Sequence, residues 1–412
     1  MKFVFLLLAF TSIALAEEKP SCFTPEDARA FVDCALQYHP DAQGAKFDEN
    51  KADGILKSAK QFPNPQLEAE FSETDNIGQT SKNVDLRLMF PVEYVGGKRG
   101  ARIEMGSAEA DLVRSQAQKT RENVAVGALL NLYRMRQLLE EIELTEESLE
   151  TFKNVKRQYR KRKSLGPQQS VSLDIFSLAE ADYSMRLSAL EAEKSRLTSE
   201  LSLTLGRPFK MDKEKLPKFK SNWPELSDDA EIVGPDLRII KARKKMAEGS
   251  LSRAKSEAWP DFSIGPTYSS ETQNNDRITT VGVSVEMPLP LFNLNGGAKA
   301  AALAEKHKAT VQEKSQSQNL KFMRSNLVET YRRITERLKK IDPEKLGHAK
   351  HRRIHKFLKR GVVEAALVIE SHRQIVEFRE HTNEQELEAL KALWQVRSFD
   401  GELLSALKGE EL

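Results

Sequence analysis

Two stretches of the chain alternate apolar and polar residues with a period of two. Leu67, Ala69 and Phe71 alternate with Gln66, Glu68 and Glu70, and Val84, Leu86, Leu88 and Phe90 alternate with Asp85 and Arg87. The turn-forming run Asp75-Asn76-Ile77-Gly78 separates them, so residues 62–95 predict a β-hairpin. The pattern returns at 259–292: Phe262, Ile264 and Thr267-Tyr268, a turn at Gln273-Asn274-Asn275-Asp276, then Val281, Val283 and Val285. Helical periodicity fills most of the remainder. From Gly97 to Lys163 there is no proline, and Ala128, Leu132, Met135, Leu139, Ile142, Leu149 and Phe152 follow three- and four-residue steps. At ~1.5 Å per residue this predicts a helix of roughly 95–100 Å. Tyr183, Leu187, Leu190, Leu197 and Leu201 continue the habit, as do Leu387, Leu390 and Trp394. Such spacing predicts coiled-coil packing.

The chain reads as written twice. Pro40-Asp41 returns as Pro235-Asp236, Phe62-Pro63-Asn64 as Trp259-Pro260-Asp261, Gly96-Gly97 as Gly296-Gly297, and Gly166 as Gly361. The first repeat spans 17–207: a helix from Pro25 to Lys60 capped by Thr24, the first hairpin, and long helices over 97–163 and 170–206. Residues 208–233, with Pro208, Pro217 and Pro224, form the linker. The second repeat spans 234–412, with a short helix, the second hairpin, and long helices over 297–360 and 362–408. Asp342-Pro343 predicts a kink or break within the third long helix.

Composition narrows the class. Of 412 residues 39% are hydrophobic and 30% charged, which favours elongated helices with much solvated surface. The net charge of +3 gives no argument for nucleic acid. Lys2, the apolar run Phe3 to Leu15 and Ala14-Leu15-Ala16 predict a signal peptide over 1–16. Cys22 and Cys34 would then meet an oxidising compartment. They are candidates for a disulfide, with buried or free thiols as the alternative.

Two hairpins give four strands, too few to close a barrel, for which about eight is the working minimum. Open edges are not tolerated in a bilayer. Val84, Leu86, Leu88, Phe90, Val281, Val283, Val285 and Met287 suit lipid, whereas Glu68, Glu70, Asp85, Arg87 and Glu286 suit a water-filled lumen. Three chains would supply twelve strands.

With these features the chain resembles the TolC-like outer membrane efflux protein family, in pattern closest to its heavy-metal-efflux-like branch. The residues that carry the resemblance are Phe62-Pro63-Asn64-Pro65, Trp259-Pro260-Asp261, Gly97-Lys98-Arg99-Gly100, Leu165-Gly166 to Ala179, Gly361-Val362-Val363 to His372, and Leu205-Gly206-Arg207-Pro208. The resemblance implies a mainly α fold with a membrane β-barrel. Duplicated long helical hairpins form an α-helical tunnel, and two β-hairpins per chain complete a twelve-stranded barrel in a homotrimer. It also implies an outer membrane location with the helices in the periplasm. The partners implied are a periplasmic adaptor (membrane fusion) protein and an inner-membrane pump of resistance-nodulation-division or ABC type. Leu165, Gly166, Gly361 and Val362 fall at the adaptor-docking tips. Asp174 and Glu370 fall near the family's acidic aperture, although Asp174 lies two residues further from its glycine than usual and Leu367 replaces another acidic position. A threefold ring of such carboxylates attracts cations.

No catalytic constellation accompanies these features. Gly96-Gly97-Lys98-Arg99 lacks the spacing of a phosphate loop, there is no nucleophile elbow, and no cofactor is expected. His348, His351 and His355 share a helical face and admit a metal in principle. The cations from Lys350 to Lys356 oppose one, which favours a solvated basic face. The expected function is a passive export duct of an efflux or type I secretion system. The alternative is a secreted periplasmic coiled-coil scaffold or adaptor without a barrel.

Overall fold

The computed structural model describes residue 22 and residues 25–76, 79–273, 276–341 and 365–409. The signal peptide, Thr24, Pro343 with its kink, Gly361, Val362 and the histidines His348, His351 and His355 lie outside the described residues.

The first helical stretch is two helices rather than one. Asp27 caps α1 (Ala28–Tyr38), its Oδ1 accepting from the Ala30 N–H at 2.8 Å. Helix α2 (Pro40–Lys60) starts afresh because a residue before proline is pushed out of the helical region, and His39 is extended at φ −61°, ψ 132°.

Strands β1 (Gln66–Asn76), β2 (Gln79–Val92), β3 (Phe262–Gln273) and β4 (Asp276–Glu286) follow as two hairpins. They form one antiparallel sheet in the order β1-β2-β3-β4. The central β2–β3 pairing joins residues far apart in sequence, with Leu86 opposite Tyr268. Strand β4 ends at Glu286, so Met287 lies beyond it, ahead of Pro288.

The long helices are α3 (Lys98–Arg160), α4 (Pro167–Leu205), α6 (Gly296–Leu338) and α7 (Ala365–Phe399). Helix α5 (Pro235–Ser256) precedes the second hairpin and α8 (Leu403–Gly409) ends the described chain. With 63 residues, α3 is about 95 Å long. Helix α4 stops where Gly206 turns left-handed at φ 65° and donates to the Leu203 carbonyl. Helix α6 ends at Leu338, and the rest of the expected 297–360 stretch beyond Ile341 lies outside the described residues. The last helix, expected to reach 408, is interrupted between α7 and α8, where Gly401 adopts φ 75°.

Helix α3 is the spine, packed against α1, α2, α4, α5 and α7. Its Leu129, Leu132, Tyr133 and Leu138 are buried with Phe31 of α1, Leu201 and Leu205 of α4, and Leu390 and Trp394 of α7. Each such side chain contributes ~1.5–3 kcal/mol by leaving water. A second cluster joins Phe152 and Val155 of α3, Phe176 and Tyr183 of α4, and Val368 and Val376 of α7. The 208–233 segment is packed rather than a loose spacer: Leu216, Trp223 and Ile232 are buried. Arg324 of α6 clasps Asp400 at 2.7 and 3.0 Å and donates to the Ser227 and Asp228 carbonyls of this segment. Cys22 and Cys34 are bonded, their Cα atoms 5.8 Å apart, which ties residue 22 to α1.

Charge is buried between α3 and α7. Arg136 pairs with Glu386, Gln137 donates to Glu386 at 2.8 Å, and Asn383 donates to Glu141 at 2.8 Å. Arg134 bridges Glu141 and, at 2.8 and 2.9 Å, Glu193 of α4. The Lys220 N–H adds a bond from the linker to Glu386. Glu386→Ala leaves the buried Arg136 guanidinium with Glu140, at 3.2 Å, as its remaining carboxylate, at a cost of about 1.5–3 kcal/mol for the lost charged hydrogen bond. The melting temperature of the detergent-solubilised protein falls accordingly, and Arg136→Met/Glu386→Leu loses less than the single change.

Nearer the sheet, Glu122 of α3 is buried and accepts from Ser398 and from Gln118. Burial pushes its carboxyl above 4.5, against those two bonds and the nearby Lys119 and Arg238. A raised folded value gives stability that is complete below the unfolded value and is lost as pH rises through the folded one. The melting-temperature difference between Glu122→Gln and wild type therefore grows more positive from pH 5 to pH 8; a difference independent of pH contradicts this assignment.

Candidate functional site

The strand register gives the sheet two unlike faces. On one face Leu67, Ala69 and Phe71 of β1 lie opposite Leu88, Leu86 and Val84 of β2. Phe90 and Leu86 lie opposite Ile264 and Tyr268 of β3, which in turn oppose Val285 and Val281 of β4. This apolar band crosses all four strands without interruption. It is open to solvent within one chain: Phe71 is 73% exposed, Val281 75% and Val283 72%. On the other face Glu68 opposes Arg87, Glu70 opposes Asp85, and Thr267 and Ser269 lie beside Gly282 and Thr280. The outer edges of β1 and β4 have no strand partner among the described residues. Strands of 11–14 residues match the ~9–11 residues that a tilted strand needs to cross a bilayer. No described helix is long and apolar enough to cross one.

Each strand end that meets a helix carries an exposed aromatic residue. Phe62 precedes β1, Tyr94 follows β2, Trp259 precedes β3 and Phe292 follows β4. These rings form a band at one end of the sheet, with Leu289 and Leu291 beside Phe292. The amphipathic rings among them, Tyr94 and Trp259, are of the kind favoured where hydrocarbon meets water. The junction beneath is held by cations at the start of α3. Arg99 lies over the Phe62 ring at 4.6 Å and donates to the Lys60 carbonyl. Arg102 pairs with Glu93 and donates to the Ala59 and Gln61 carbonyls, satisfying the C-terminus of α2. Lys98 pairs with Asp261 of the second junction.

Gly96 and Gly97 turn the chain from β2 into α3 at φ 75° and 74°. A Cβ at Gly96 would lie 2.5 Å from the Cβ of Trp259, whereas one at Gly97 meets open space. Gly97→Ala therefore costs about 1–2 kcal/mol of left-handed strain. Gly96→Ala carries that strain and displaces Trp259 as well. Thermal melting is expected to show the larger drop for Gly96→Ala, and equal drops exclude the Trp259 contact as the cause.

At the opposite end of α3 lies the helical tip. Leu165 is half-buried and Gly166 is exposed and extended at φ −69°, ψ 163°. Pro167 then opens α4, so this glycine is not the left-handed residue of a helix end. Asp174 is exposed, two residues before the buried Phe176. Glu370 lies two residues after the buried Val368, so both carboxylates face away from the second core cluster. Glu370 is not a free charge. Arg373 donates to it at 2.7 and 2.9 Å, Gln374 at 2.8 Å, and Arg373 also reaches Glu377 at 2.7 Å. The Arg373 guanidinium holds the Glu370 carboxyl below its ordinary range, with Gln374 adding to the effect. Sequence spacing brought out Glu370 but not this partner three residues on. Nor does sequence spacing single out the cations that end α3. Among the described residues no group of three or more His, Cys, Asp and Glu is placed to hold a metal ion.

The fold is similar to that of several outer membrane proteins of known structure. The chain superposes on the outer membrane protein VceC of Vibrio cholerae with a TM-score of 0.70 and 13% identity, over 91% of this chain and 96% of that one. The open-state outer membrane channel MtrE of Neisseria gonorrhoeae matches with a TM-score of 0.70 and 14% identity, over 92% and 90% of the two chains. CusC, a protein described in terms of transmembrane channel formation, gives 0.67 and 14%, over 92% of each. No protein-family model and no curated protein matches the chain. At these identities the likeness defines a fold: long helical hairpins carrying a small antiparallel sheet.

Proposed function

We propose that the protein is the outer membrane channel of a tripartite efflux or type I secretion system, acting as a passive conduit and not as a catalyst. The observation that carries this reading is the apolar band spanning four strands that have two unpaired edges. Three copies joined edge to edge give twelve strands, a closed barrel whose apolar face meets lipid and whose charged face lines water. The aromatic junctions then sit at the periplasmic boundary of the bilayer, and the helices form a tunnel below it. Exposed apolar residues on α4 (Val171, Ile175, Leu178, Met185) and on α6 (Leu303, Val311, Phe322) offer surface for neighbouring copies.

In this duct Leu165, Gly166, Gly361 and Val362 mark the end that docks a periplasmic adaptor, with a resistance-nodulation-division or ABC pump supplying the energy. Asp174 and Glu370 are the aperture candidates. With Arg373 beside Glu370, Asp174 is the carboxylate left to attract cations at a narrow ring.

Leu86→Arg and Val283→Arg test the barrel. A cation at mid-strand on a lipid face costs about 2–4 kcal/mol per copy. Both variants are expected to be lost from the detergent-extracted trimer of the outer membrane fraction, whereas Ser269→Arg on the opposite face assembles. Normal insertion of both lipid-face variants overturns the reading. Release of wild-type protein as a monomer by osmotic shock points instead to a periplasmic scaffold.

A further inference from the structure

The end of α3 carries charge that the conduit itself does not use. From Lys153 to Leu173 the sequence has seven Lys and Arg residues and no Asp or Glu. Lys156 is paired with Glu180 at 2.6 Å, and Arg162 lies over the Tyr159 ring at 5.1 Å. Lys153, Arg157, Arg160 and Lys161 are exposed and have no carboxylate partner among the described residues. They follow one another at i, i+4, i+7 and i+8, flanking the buried stripe of Phe152 and Val155. The result is a ladder about 12 Å long on one side of a straight rod. Cations in the last turn complement the carbonyls of a helix end, and Arg157 and Arg160 suffice for that. The steps from Lys153 to Arg157 and from Arg157 to Lys161 set like charges four residues apart, which disfavours the isolated helix. No ion pair among the described residues involves these four cations.

We propose that this ladder is a docking face for an acidic helix of a partner protein, one that presents carboxylates at i, i+4 and i+7 along its own surface. Two rods laid side by side bring such rows into register over their whole length. An unstructured acidic chain would meet the same cations without a fixed spacing. The proposal rests on the conduit reading only in placing this end of α3 where a periplasmic partner docks.

The test uses the full detergent-solubilised protein and two fluorescein-labelled 21-residue peptides of identical composition. One carries its glutamates on a single helical face, and the other has them shuffled around the helix. Anisotropy at low salt is expected to show the patterned peptide binding about tenfold more tightly than the shuffled one, as four exposed ion pairs allow. Raising the salt weakens this binding. The variant K153Q/R157Q/R160Q/K161Q loses the preference while keeping wild-type oligomeric mass and melting behaviour. Where that variant does not assemble, K153Q/R157Q serves, with about a threefold loss. Equal binding of the two peptides, as an acidic cargo would show, overturns the proposal, as does unchanged binding by the variant or no binding at all. Planar-bilayer conductance of the wild-type protein is measured beside it. Conductance without peptide preference leaves the duct and removes the docking face. Peptide preference without conductance does the reverse.

Discussion

An apolar sheet face exposed over four strands, with both edges unpaired among the described residues, is the constraint on which the rest of the structure depends. In water such a surface aggregates, and in lipid its unpaired backbone groups cost several kcal/mol each. The chain does not relieve this by itself. No described helix is laid across the band, and Phe71, Val281 and Val283 stay open. Closure with further copies of the same sheet meets both demands at once. In the barrel proposed above, the helices serve that closure by holding the two hairpins, far apart in sequence, side by side through the β2–β3 pairing.

The helical part solves a different problem. A helix of about 95 Å cannot be fixed by a single compact core, so α3 is held in stages along its length. Arg99 and Arg102 clamp its start to the end of α2. The leucine-rich cluster with Trp394 holds its middle, and the cluster around Phe152 holds its far end. The buried pair Arg136 and Glu386 adds little net stability over an apolar pair of the same shape. Its bonds do fix which residues of α3 and α7 lie opposite each other, where a uniform leucine seam would tolerate slippage.

Much of this was legible in the sequence because it rests on local periodicity. The alternation from Val84 to Phe90 and from Val281 to Val285 gave strands, and the spacing from Leu132 to Phe152 gave a buried helical face. The breaks were harder. Pro40 stood out as a landmark of the repeat, yet its effect on His39 was not used, and Gly401 looked like one glycine within a long helix. The Arg136–Glu386 pairing spans 250 residues and leaves no local trace. At the tip, Asp174 and Glu370 were found by position, whereas the neutralising Arg373 emerged only from side-chain geometry.

The sheet is a meander whose four helix connections all leave from one end, and each hairpin is closed at the other end by two residues between its strands. In the duct orientation proposed above, that far end of the sheet is the part turned to the outside of the cell. An end with so few residues between its strands gives antibodies and phages little to grasp. The channel as proposed would thus offer little of itself to the outside, while its long helices work within the envelope.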